Sequence, residues 1–247
     1  MKHLKLLMSV LVVLAAFSCN KTSISGNGQV VFEVASDESI VDVTKSNVSD
    51  YTSLPSTGDF TITVTGTDFN WTGKVSEWDS AQSLAAGNYT VTASYGSLEA
   101  EGFDKPYFAS EETSFAVVGG QTTAVKINVA LANTVVLVNC TDEFKSFYSD
   151  YTFTLTREGL NSSIATFVKD ETRGAFVDGY KLTLNGELTA NNGSTKSFTT
   201  SYTNLKAATA YTCVFGINQN TYGKVSITIT FDDTVQTIDL GDKELNE

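Results

Sequence analysis

Two tryptophans stand seven residues apart in Asn70-Trp71-Thr72-Gly73-Lys74-Val75-Ser76-Glu77-Trp78-Asp79, and they are the only two in the 247-residue chain. Indole faces can stack on sugar rings while Asn70 and Asp79 take hydroxyl hydrogen bonds, so Trp71 and Trp78 are candidate glycan-binding residues. A spacing of seven puts the rings on opposite faces of a straight strand, so a shared platform needs a turn near Gly73. Otherwise one or both rings belong to the core or to a sheet edge. Carboxylates are the other abundant reactive groups, 28 Asp and Glu against 16 Lys and Arg. A buried acid–base pair could hydrolyse a glycosidic bond, but Glu111-Glu112 and Asp232-Asp233 lie at strand ends and turns, where charge faces water. No Asp-x-Asp-x-Asp loop offers oxygen ligands to calcium. No catalytic residue, metal or cofactor is expected.

The N-terminus narrows the chemistry further. Met1-Lys2-His3-Leu4-Lys5 is a short basic segment, Leu6 to Phe17 is uncharged and apolar, and Ser18-Cys19 follows Ala15-Ala16-Phe17. An apolar run this short behind basic residues reads as a secretory signal, not a membrane span. A cysteine at the cleavage point resembles a bacterial lipoprotein signal over residues 1–18, with Cys19 as the acylated (palmitate-bearing) first residue of the mature protein. The alternative is an ordinary signal cut near Ala16, which leaves Cys19 a spare thiol. Loss of the leader removes His3, the only histidine, together with Met1, Met8, Lys2 and Lys5. Without an imidazole, Ser-His-Asp and Cys-His catalysis and His-ligated zinc are closed. The net charge moves from −12 to −14, which repels phosphate backbones; no nucleic-acid partner is expected.

These residues must be positioned by strands. After a polar tether over 19–28, apolar residues alternate with polar ones in Val30–Val34, Phe60–Thr65, Tyr89–Ala93, Phe115–Val118 and Ala124–Leu131. The same period of two runs through Thr134–Val138, Tyr151–Leu155, Ile164–Val168, Tyr180–Leu188, Phe198–Tyr202, Tyr211–Ile217, Val225–Phe231 and Val235–Leu240. Gly119-Gly120 and Asn192-Gly193 mark turns, the second a hairpin signal. No window carries helical periodicity. The expectation is all-β: two antiparallel β-sandwich domains, Ig-like or prealbumin-like, over 29–132 and 133–247, joined rigidly at Ala132-Asn133. Cys140 and Cys213 fall on strands of the second set. In an oxidising envelope they could form a disulfide across the sandwich, or remain two buried thiols.

Several segments in order carry a resemblance. Leu84-Ala85-Ala86-Gly87-Asn88-Tyr89-Thr90-Val91-Thr92-Ala93-Ser94-Tyr95-Gly96 is followed by Phe103-Asp104-Lys105-Pro106-Tyr107-Phe108. Then come Phe115-Ala116-Val117, Gly119-Gly120-Gln121-Thr122, Leu131-Ala132-Asn133 and a late Gly223-Lys224-Val225-Ser226-Ile227-Thr228-Ile229. This order resembles the Bacteroidetes lipoproteins grouped as "domain of unknown function 4493", and covers most of the mature chain. The resemblance implies a β-sandwich lipoprotein of the cell envelope, loosely similar to fimbrillin-like and adhesin proteins, without an established activity. Fimbrillin-type precursors are cut after a basic residue, usually Arg; here only Lys45 sits in a comparable place, and a solvated loop lysine is the plainer reading. Asp79-Ser80-Ala81 and Asp233-Thr234-Val235 resemble the O-glycosylation triplet of Bacteroidetes envelope proteins, making Ser80 and Thr234 candidate acceptors. Asn20-Lys21-Thr22-Ser23 lacks the acidic cluster associated with surface display, which leans towards the periplasmic face of the outer membrane. Tyr107 and Phe108 after Pro106 are read as anchors capping the sandwich.

The sequence thus points to a non-catalytic, lipid-anchored envelope protein, a binding or adhesion module whose partner is a glycan or another envelope protein. The alternative is a structural, fimbria-like or accessory subunit.

Overall fold

The computed structural model describes residues 25–37, 47–159, 162–219, 224–231 and 234–242, with side chains placed through Ile217. Cys19, the leader and Lys45 lie outside the described residues. The chain is all-β. Its first half holds β1 (Asn27–Asp37), β2 (Thr61–Gly66), β3 (Phe69–Lys74), β4 (Leu84–Ala85), β5 (Gly87–Tyr95), β6 (Gly102–Phe103), β7 (Phe108–Ala109), β8 (Thr113–Val117) and β9 (Thr122–Leu131). The second half holds β10 (Thr134–Cys140), helix α1 (Asp142–Phe147), β11 (Tyr148–Arg157), β12 (Ser163–Val168), β13 (Ala175–Val177), β14 (Leu182–Ala190), β15 (Thr195–Tyr202), β16 (Ala210–Gln219), β17 (Lys224–Phe231) and β18 (Thr234–Asp242).

Alternation places the core. On β1, Val30, Phe32 and Val34 are buried while Val31 and Glu33 face solvent, the period-two pattern of a strand covered on one face. The first half forms one eight-stranded sheet, β3-β2-β5-β7-β9-β1-β4, with β8 also paired to β5. It curls so that Phe32 on β1 meets Phe115 on β8, ring centroids 5.8 Å apart. The second half packs a four-stranded sheet, β12-β11-β14-β15, against a six-stranded sheet, β18-β17-β16-β10-β13-β6. Phe153 of β11 and Phe215 of β16 stack between them at 4.2 Å.

Two features depart from the sequence expectation. Pairing is antiparallel except for β1–β9 and β10–β16, which run parallel. Each parallel pair joins strands far apart in sequence, as a long connection allows. One short α-helix also occurs among the described residues. The Thr141 hydroxyl caps α1 by accepting the Phe144 N–H at 3.3 Å, and Asp142 and Glu143 occupy its first turn, where acidic groups suit the helix N-terminus. Six residues are too few to show a helical period.

The two halves share structure. β6, from the first half, pairs with β13 and so completes the six-stranded sheet of the second. Gly102 in β6 has φ +122°, and a Cβ there would sit 3.0 Å from the Ile164 carbonyl oxygen, so both conformation and contact favour glycine. Phe103 then meets Phe167 edge-on at 5.2 Å. In return Val135, Phe176 and Ala210 of the second half belong to the core of the first. Between β9 and β10 the buried Asn133 side chain accepts the Tyr107 N–H at 3.2 Å and donates to the Lys105 carbonyl at 3.0 Å. Phe108 is fully buried.

Candidate functional site

The turn that gathers the tryptophans lies beyond Gly73. β3 ends at Lys74, and a 3₁₀ turn over Val75–Glu77 returns the chain so that Trp78 comes back beside Trp71. The Glu77 carboxylate fastens this turn by accepting the Lys74 N–H at 3.0 Å. The ring centroids of Trp71 and Trp78 are 5.0 Å apart with planes at 79°. They form a corner, not the flat platform a shared stacking surface would need.

The two rings do different work. Trp78 donates its indole N–H to the Val30 carbonyl at 2.9 Å. It also packs edge-on against Phe32 at 4.9 Å and Phe69 at 6.4 Å, so it ties the 3₁₀ turn to β1. Trp71 sits half-buried on β3, the edge strand of its sheet. Its ring leans over Gly73, where a Cβ would come within 2.8 Å of it. Gly73 therefore gives the indole its resting place. Ser80 is exposed in the adjoining turn, in which the Asp79 carboxylate accepts the Ala81 N–H at 2.9 Å. Thr234 opens β18, beyond the described side chains.

Cys140 and Cys213 are both buried free thiols. They lie on adjacent strands, but the register pairs Cys213 with Val138 and Cys140 with Phe215. The two are thus diagonal, with Cα atoms roughly 8 Å apart from strand spacing and rise, beyond the span a disulfide accepts. Burial pushes each thiol up to about 12. Of the two alternatives open from the sequence, a disulfide or two buried thiols, the structure has the second.

A cleft unannounced by any sequence motif opens in the second half. β13 pairs with β10 only as far as Val136. Beyond it one edge of Leu137–Cys140 has no ladder partner among the described residues and lines a cavity of about 320 Å³ with Tyr151, Phe167, Val168 and Thr212. Lys145 and Asp170, both on the lining, form an ion pair at 3.8 Å. Glu171, also in the wall, is bound by the Arg173 guanidinium at 3.0 and 2.8 Å, which lowers its pKa to about 2. The residues come from five separated segments, so no local spacing could have flagged them.

An all-β protein of two interlocked halves, with a tryptophan corner on one and a cleft in the other, is the class the structure defines. The family described as "Domain of unknown function (DUF4493)" matches residues 26–241, and the chain belongs to it. No curated protein matches the sequence. Among solved structures it is similar to a Bacteroides thetaiotaomicron protein described as a candidate polysaccharide-binding protein, at 10% identity over 88% of this chain and 100% of that one, with TM-score 0.42. It is also similar to a candidate cell adhesion protein of Bacteroides ovatus, at 10% identity over 89% and 99% of the chains, TM-score 0.43. A candidate cell adhesion protein of Bacteroides fragilis shares 10% identity over 90% and 100% of the chains, TM-score 0.37. No helix among the described residues is long and apolar enough to cross a membrane.

Proposed function

We propose that this protein is a non-catalytic binding module of the cell envelope, anchored by lipid on Cys19, and that its first half binds a glycan on Trp71. The supporting observation is the half-exposed Trp71 indole, held in one orientation between Trp78 and Gly73 at a sheet edge. An aromatic surface fixed before binding loses little conformational freedom when a sugar ring stacks on it. The protein's two units run over 29–132 and 133–247, and exposed Ser80, with Thr234, accepts O-glycans.

A glycan array probed with the mature chain tests the site. Binding should be lost in Trp71→Ala and retained in part in Trp71→Phe. Array signals unchanged by Trp71→Ala would refute it. Metabolic labelling with an alkynyl palmitate should mark the wild type and not Cys19→Ser. A native mass equal to the unmodified polypeptide plus lipid would end the O-glycan assignment.

A further inference from the structure

The tryptophan corner does not use the cleft at the open edge of β10, and the cleft has the makings of a site of its own. Its inner end holds Tyr151, 3% exposed. The phenol hydroxyl has only the weakly accepting Cys140 thiol and the Asp170 backbone beside it, and neither meets it in good hydrogen-bond geometry. A buried hydroxyl without a partner costs free energy that a bound molecule can recover.

The wall around it mixes donors and acceptors: Asn139, Lys145, Asp170, Thr172 and Thr212, beside the apolar surfaces of Phe167 and Val168. Its charges cancel locally. Lys145 answers Asp170, and Arg173, just outside the wall, answers Glu171. In a chain of net charge −12 this is a neutral opening. Cys140 and Tyr151, each pushed up to about 12 by burial, keep their protons at pH 7 and can donate. The volume, about 320 Å³, is at the lower end of small-molecule pockets, which run from about 300 to 1,000 Å³.

We infer that this cleft binds a neutral polyhydroxylated ring, the size of one monosaccharide, with a ring oxygen or hydroxyl accepting from Tyr151 and the remaining hydroxyls exchanged with Asn139, Asp170, Thr172 and Thr212. The apolar wall of Phe167 and Val168 takes the C–H face. This second site deepens the glycan reading but is separate from Trp71.

Amide-detected NMR of the mature chain, titrated with the methyl glycosides of glucose, galactose, mannose and N-acetylglucosamine, tests it. At least one should shift the amides of Asn139, Cys140, Lys145, Tyr151 and Thr212 in a saturable way. Tyr151→Phe should weaken that binding about 3- to 10-fold, the effect of one hydrogen bond, while the unfolding midpoint stays or rises because an unpaired hydroxyl leaves the core. Trp71→Ala should leave the cleft titration unchanged, so failure at either site is read independently. The inference is overturned if none of the four moves the cleft amides at 50-fold excess over protein in the millimolar range, or if Tyr151→Phe binds as tightly as wild type.

Discussion

The Glu101 carboxylate lies 2.8 Å from the Arg157 guanidinium and joins the two halves of the molecule. Glu101 precedes the strand that the first half lends to the second, and its other oxygen accepts the Asp178 N–H at 2.8 Å. Its side chain is only 8% exposed. Arg173, stacked 4.4 Å over Phe103 and 3.6 Å from Asp104, makes a second, more exposed link nearby. The halves are therefore clasped through residues 101–104, not merely tethered at Ala132-Asn133.

Breaking the first clasp leaves a partly buried guanidinium and a backbone N–H without their acceptor. Glu101→Ala should destabilise the protein by about 2–3 kcal/mol, as loss of hydrogen bonds to a charged group does. Urea unfolding followed by circular dichroism measures this. A change below about 0.5 kcal/mol, the range of ordinary surface substitutions, would show that the clasp contributes nothing.

The tryptophans should separate by role. Trp78→Ala removes the N–H bond to Val30 and a ring packed on two phenylalanines, and should cost about 3 kcal/mol of stability. Trp71→Ala should cost about 1 kcal/mol and abolish glycan binding. Gly73→Ala puts a Cβ 2.8 Å from the Trp71 ring and 3.1 Å from the Glu77 carboxylate, so it should displace the indole, weaken binding at least about threefold and cost about 1 kcal/mol of stability. Equal stability losses at Trp71 and Trp78 would contradict the division.

Alkaline stability follows from the thiols. Cys140 and Cys213 stand near 12 when folded against 9.0 ordinarily. Above pH 9 the unfolded chain sheds these protons and the folded chain keeps them. The stabilisation is thus full below pH 9 and is lost as pH rises towards 12. Tyr148, pushed from 10.0 to about 12 by burial, adds to the same fall. Urea midpoints should decline between pH 9 and 11, less steeply in Cys213→Ala, and native thiols should resist iodoacetamide at pH 8. A flat midpoint across that range would disprove it.

Acid acts on the carboxylate that holds Arg173. Glu171, held near 2 by Arg173 against 4.5 ordinarily, contributes stability that is present above pH 4.5 and lost as pH falls towards 2. Because Arg173 is about half exposed, the contribution should be about 1 kcal/mol or less after solvent screening. Wild type and Glu171→Gln should differ at pH 6 and converge at pH 2; a constant difference would exclude this ionisation as the cause.

Most of the fold was legible because a strand covered on one face writes a period of two, as Val30-Phe32-Val34 and Tyr151-Phe153-Leu155 do. The two- and three-residue strands β4, β6, β7 and β13 were not. They are too short to show a period, and β6 finds its partner more than seventy residues away. The tryptophans could be singled out by type, but their perpendicular meeting depends on a 3₁₀ turn closed by Glu77. The cysteines could be counted, while their diagonal register depends on a parallel pairing between strands far apart in sequence. The cleft was invisible because it exists only where β13 stops short of the end of β10.

With Trp71 and Trp78 the only tryptophans in the chain, fluorescence reports directly on the proposed glycan contact. In Trp78→Phe, which keeps an aromatic ring beside Phe32 and Phe69, Trp71 is the sole emitter. Titrating this variant with the strongest array oligosaccharide should shift its emission to shorter wavelength, saturating at the affinity measured by calorimetry. Heat of binding with an unmoved Trp71 emission would place the glycan elsewhere and contradict the assignment.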